Sequence, residues 1–168
     1  MAVAVPAFAY ADAMAADPDL APALLSISRY ESTYGTQPYG DYGLGGARPD
    51  EATSFGPMQL FTRGGLGDGH PIEELLDGPS NYRIGATEIR RRLANGQSLY
   101  EAMQPWSVRP QAYALYERMM AEGIEVEGGT APDIYPAATS MMEEPRSLAP
   151  YALIGVAAIV GALVAFTS

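Results

Sequence analysis

At 168 residues, 48% of them apolar, the chain has room for one core-bearing domain and an appendage. Its ten basic residues are all arginine and face twenty acids, a formal net charge of -10, which argues against nucleic acid as a partner. Without cysteine there are no disulfides and no thiolate chemistry, and a single histidine argues against a metal site or a nucleophilic triad, so no cofactor is expected.

Residues 1–17 are apolar and rich in alanine, with no positively charged start, so a cleaved signal peptide is not expected. They read as an N-terminal extension, either an Ala-rich arm or an extra helix packing on the domain. Asp17-Pro18-Asp19 is a helix-start signal ahead of LAPALLSISRYES. Leu20, Leu24, Ile27 and Glu31 follow three- and four-residue steps, which sets Glu31 near the helix end, on or beside its apolar face. Gly35 stops that helix, and residues 35–50 read as an irregular loop or a short hairpin. Gly56-Pro57 breaks the apolar stretch 53–61, and four glycines mark 62–71 as a loop, with His70 beside Pro71. A short helical piece, Pro71 to Leu76, precedes a clear helix from about Ser80 to Ala94 with Tyr82, Ala86, Ile89 and Leu93 as its apolar stripe. Asn95-Gly96 closes it. Leu99 to Met103 and Pro110 to about Ala121 are the last helices of a domain spanning 18–122. Residues 123–146 hold Pro, Gly, Ser, Thr and several carboxylates without periodicity and read as an acidic flexible tether. Residues 147–168 carry no charge and read as one C-terminal transmembrane helix, which makes a lipid membrane an expected partner. The fold class expected from this pattern is mainly α, a small helical domain with an irregular loop or short hairpin.

Four stretches in order carry a resemblance: ISRYESTYG (27–35), TSFGPMQL (53–60), GPSNYRIGATEIRRRL (78–93) and WSVRPQAY (106–113). Together they resemble the lysozyme-like lytic transglycosylase superfamily, which includes goose-type lysozyme and many phage wall-degrading domains. Glu31-Ser32 is similar to the family's helix-terminal Glu-Ser, and Gly56 with Gln59 to its Gly-x-x-Gln signature. The resemblance implies an α+β lysozyme-like domain acting on the glycan strands of bacterial peptidoglycan. Glu31 is implied as the catalytic acid, with Ser32, Gly56, Met58, Gln59, Asn81 and Tyr82 as residues binding substrate. The family's usual later Tyr-containing motif is not matched; Trp106 or Tyr113 stands where a substitute is expected.

The chemistry agrees with that implication. Cleaving a β-1,4 glycosidic bond needs an acid that protonates the leaving oxygen as an oxocarbenium-like state develops. A carboxyl at a helix end beside apolar groups is poorly solvated as an anion and is expected to hold its proton near neutral pH. The resemblance implies that one glutamate then serves as base toward the sugar's own C6 hydroxyl, giving a 1,6-anhydro product. A lysozyme-type hydrolysis, with Asp41, Asp50 or Glu51 holding a water, is the second choice. Tyr39, Tyr42 and Trp106 are candidates for stacking on sugar faces, with core filling the default for Trp106. The expected setting is local wall opening by a membrane-anchored protein of a phage virion, otherwise of the bacterial inner membrane, with virion or envelope proteins as further partners. The alternative is a non-catalytic structural component of such an assembly.

Overall fold

In the computed structural model, residues 1–40 and 51–128 are described. Strand β1 (Val3–Pro6) runs directly into helix α1 (Ala7–Ala16), and a turn leads to α2 (Ala21–Ser32). Three two-residue strands follow, β2 (Tyr39–Gly40), β3 (Ser54–Phe55) and β4 (Leu60–Phe61). Helices α3 (Ile72–Leu76), α4 (Gly78–Ala94), α5 (Leu99–Ala102) and α6 (Arg109–Glu122) come next, then strand β5 (Ile124–Glu127). Strands β2, β3 and β4 form an antiparallel sheet in that order. Strands β1 and β5 pair in parallel, Val3 opposite Ile124 through Pro6 opposite Glu127.

This corrects the fold class expected from the sequence. The described residues form a mixed α/β structure with six helices and two small sheets, not a mainly α lysozyme-like domain with a transmembrane helix. Both strands of the parallel pair come from segments read as an extension and a tether. Each is four residues long, and their partnership joins opposite ends of the described chain, so no local period announces it. Val3 and Val5 point into the core while Ala4 is exposed, the alternation of a half-buried strand. Among the described residues no helix is long and apolar enough to cross a membrane. The longest, α4, has 17 residues and carries Glu88 and four arginines. Residues 147–168, as well as Asp41, Tyr42 and Asp50, lie outside the described residues.

Helix α2 is the centre of the core. Eight of its 12 residues are buried, among them Leu24, Leu25 and Ile27. It packs against α6, α1 and α4. Small residues make this crowding feasible: Ala21, Ala23, Ser26 and Ser28 are buried too. The two serine hydroxyls cost little there because they donate within the helix, Ser26 to Ala23 O (2.7 Å) and Ser28 to Leu25 O (3.1 Å). The turn before α2 is tied down by Asp17. Its Oδ1 accepts from the backbone N–H groups of Asp19 and Leu20, and Arg90 of α4 grips the same carboxylate with Nε at 2.6 Å and Nη2 at 2.7 Å. That fork holds the Asp17 carboxyl below its ordinary range.

The α1–α4 contact contains an electrostatic conflict. Asp12 of α1 lies against Gly78, where a Cβ would overlap its Oδ2. Asp77 sits beside it and caps α4 by accepting from Ser80 N at 3.0 Å. A helix N-terminus favours a negative charge, but partial burial and the neighbouring Asp77 outweigh that and push Asp12 from 3.8 up to about 7. The unfolded chain therefore ionises Asp12 from about pH 4 upward, while the folded chain holds the proton until near neutrality. Stability falls across that window as pH rises and levels off above it. Asp12→Asn, which cannot ionise, should be more stable than the parent at pH 8 and equal to it at pH 3.5. The expected gain at pH 8 is on the order of 2 kcal/mol, about half the full linkage value because the side chain is partly exposed. Urea unfolding midpoints at the two pH values measure it, and an equal effect at both would contradict this account.

Candidate functional site

The site is assembled around the turn between β3 and β4. Gly56 has φ +75° and Gln59 φ +47°, both in the left-handed region, so the Gly56-Pro57-Met58-Gln59 turn is not one the local chain holds by itself. Asn81, buried in the first turns of α4, holds it. Its Oδ1 accepts from Met58 N at 2.9 Å, and its Nδ2 donates to Phe55 O at 3.0 Å and Leu75 O at 2.8 Å. Gly56 is required for this approach, since a Cβ there would overlap both Leu75 O and the Asn81 amide. Met58 is fully buried beneath the turn, against Gly85 of α4. Trp106 donates from Nε1 to Met58 O at 3.0 Å and closes the same corner.

Ser32 joins this turn to the end of α2. Its hydroxyl donates to Pro57 O at 2.6 Å and accepts from Gly35 N at 2.7 Å. Thr33 and Tyr34 both take left-handed backbone, φ 52° and 61°, which ends the helix abruptly and turns the chain toward β2. The backbone of Glu31, one residue before Ser32, is therefore placed in relation to the turn by a hydrogen bond from its neighbour. Glu31 is half-buried and engaged in an interaction of its own. It opens onto a groove of about 1240 Å³ that is also lined by Tyr39, Gln59, Phe61 and Trp106.

Of the residues implied by the resemblance, Glu31 and Gln59 line the groove. Gln59 folds over Gly40, and its Nε2 donates to Gln37 O (3.2 Å) and Gly56 O (2.9 Å), so it shapes the floor as well as facing it. Ser32, Gly56, Met58 and Asn81 lie beneath that floor as its supports. Tyr82 is fully buried and donates from its hydroxyl to Ser28 Oγ at 2.8 Å, which ties α4 to α2. Tyr39 stands edge-on to Phe55 with centroids 6.2 Å apart and faces the groove, as does the partly exposed Phe61. Trp106 is only 5% exposed and is mainly a core residue. Glu51 is not among the groove-lining residues, and neither is His70, whose Nδ1 lies 3.0 Å from Glu74 Oε2. Among the described residues no group of three or more His, Asp or Glu could hold a metal ion.

A further part of the lining is Glu88, Arg91 and Arg92 on the exposed side of α4, together with Pro105 and Ser107. Arg91 lies largely off the apolar stripe of Tyr82, Ala86, Ile89 and Leu93. The three- and four-residue steps from Glu88 to Arg91 and Arg92 signal an ion-paired cluster, though not which surface it faces.

The support role of Asn81 has a measurable consequence. Asn81→Ala removes one buried hydrogen bond each from Met58 N–H, Phe55 O and Leu75 O. A loss on the order of 3 kcal/mol is expected, from three buried hydrogen bonds lost at once. Urea unfolding of the variant checks this; a loss below about 1 kcal/mol, the size of one ordinary hydrogen bond, would mean that the turn holds itself. Comparison of the chain with family models, with curated proteins and with solved structures finds no match.

Proposed function

We propose that this chain cleaves the β-1,4 glycosidic bond between N-acetylmuramic acid and N-acetylglucosamine in bacterial peptidoglycan, with Glu31 as its acid and then its base. The observation that carries this reading is a single glutamate at the abrupt end of a core helix, opening on a sugar-sized groove with aromatic side chains in its wall. Glu31 donates a proton to the bridging oxygen as the C1–O bond breaks. The C6 hydroxyl of the same sugar then bonds to C1 and surrenders its proton to the Glu31 carboxylate. The acid is regenerated, no water is consumed, and the product ends in a 1,6-anhydro sugar.

The left-handed turn contributes by position. Gln59 ties together the groove floor that it shares with Glu31, which gives the substrate a defined surface to lie on. Tyr39 and Phe61 offer apolar faces of the kind sugar rings pack on. The resemblance of residues 27–35 and 53–60 to the Glu-Ser and Gly-x-x-Gln motifs of lytic transglycosylases supports the same assignment.

Digestion of purified peptidoglycan followed by mass spectrometry of the muropeptides tests the proposal. The parent should release anhydro-ended fragments, and Glu31→Gln should lower the yield by at least about 1000-fold while keeping the parent's circular dichroism spectrum, the loss expected when a proton-transferring group is removed. Reducing ends in place of anhydro ends would assign hydrolysis. No fragments from the parent, or full activity in the variant, would overturn the reading.

A further inference from the structure

We propose that Arg91 is a specificity residue of the groove, and that it recognises the carboxylates of the peptide stems that peptidoglycan carries on its muramic acid residues. The inference rests on the glycan-cleaving reading above and names the part of that substrate which the α4 wall takes. The charged side chains among the described lining residues are Glu31, Glu88, Arg91 and Arg92. In a chain of net charge -10, with arginine as its sole strong cation, two guanidiniums on one groove wall run against the general trend. Their arrangement is ordered. Glu88 accepts from Arg91 Nε at 2.7 Å and Nη2 at 2.8 Å, and from Arg92 Nε at 2.6 Å. Arg92 also donates from Nη1 to Gln104 Oε1 at 2.9 Å, which fastens it to the segment after α5.

One carboxylate thus serves two guanidiniums, and the wall keeps one positive charge in excess. The two arginines differ in what they have left to offer. The Arg92 side chain is 20% exposed and has its donors divided between Glu88 and Gln104. The Arg91 side chain is 59% exposed, and its second amino group, Nη1, has no partner among the described residues. Glu88 therefore acts as a clamp on the fork of Arg91, a residue that lines the groove, and leaves its Nη1 donors unused among the described residues. A fixed guanidinium loses less conformational freedom when it binds and meets a carboxylate in a two-bond geometry, which distinguishes it from a mobile surface lysine. Hydrogen bonds from Arg91 and Arg92, with their charges, hold the Glu88 carboxyl down at about 2 against the opposing effect of burial, so the clamp stays charged around neutral pH. The glycan itself offers this wall hydroxyls and acetamides. The stems offer free carboxylates spaced along every second sugar, and these are the groups a clamped guanidinium selects.

The test uses soluble peptidoglycan strands in two forms, native and with the stem carboxylates converted to neutral amides. Binding is measured with the full chain carrying Glu31→Gln, so that strands are not consumed. Native strands should bind about tenfold tighter than amidated ones, the difference expected for charge-assisted hydrogen bonds. Adding Arg91→Gln should abolish most of that preference, and Arg91→Lys should restore part of it, since it returns the charge without the fork. Equal binding of the two strand forms, or a preference that survives Arg91→Gln, would overturn the inference. Cleavage by the parent chain is read separately on the same strands. Turnover of both forms with no binding preference removes the role of Arg91 and leaves the enzyme reading intact, whereas preference without turnover removes the enzyme reading alone.

Discussion

The carboxamide of Asn81 bonds to the backbone of three segments at once: the residue before Gly56, the residue after Pro57, and the last turn of α3. Each bond is made out of contact with water, where a missing partner is costly. The turn it holds contains two residues in left-handed backbone, one of them a glutamine, and such a turn persists only when its surroundings fix it. Gly56, Gly85 and Gly40 each remove a side chain that would stand in the way of that packing. Without the Asn81 anchor, Met58 would lose its seat, Trp106 its acceptor and Gln59 its position over Gly40. The groove floor is thus an outcome of one buried amide in α4.

A second constraint acts from the other side. Helix α2 is packed on several faces and ends within two residues, because Thr33 and Tyr34 leave the right-handed region together. Ser32 spends its donor on Pro57 O and its acceptor on Gly35 N, so the helix end and the turn move as one body. The backbone of Glu31, one residue earlier, is placed by the same contact. The proposed chemistry turns on one carboxyl, and its position at the groove follows from where this helix ends. Across the groove, Glu88 fixes Arg91 and Arg92 in a comparable way, by ion pairs within one turn of α4.

The two ends of the described chain are part of the same structure. Val3 and Val5 of β1, with Ala9 and Ala13 of α1, belong to the core, and β5 closes against β1 immediately after α6. Val3 N–H donates to Gly123 O at 2.9 Å, so the ladder begins at the glycine that ends α6. The α1–α4 contact carries a partly buried Asp12 beside Asp77, a place where the fold tolerates an unfavourable charge.

Local pattern determined the helices. The three- and four-residue spacing of Leu24, Ile27 and Glu31, and of Tyr82, Ala86 and Ile89, marked α2 and α4 and set Glu31 at a helix end. Gly56-Pro57 was legible as a break, and so was the turn that carries Gln59. Tertiary structure alone decided what the polar residues between them do. Ser32, Asn81 and Tyr82 form their hydrogen bonds to groups 25, 23 and 54 positions away, and no periodicity encodes which distant carbonyl or hydroxyl a side chain will meet. The same holds for β1 and β5, whose pairing is a contact between segments that each look like an arm. It holds also for Arg91, which lies off the apolar stripe of α4 and so reads as solvent-facing until other segments fold beside it to make a groove. A sequence fixes which residues are apolar and at what interval; where one surface faces another depends on long-range packing, and that is where this site was made.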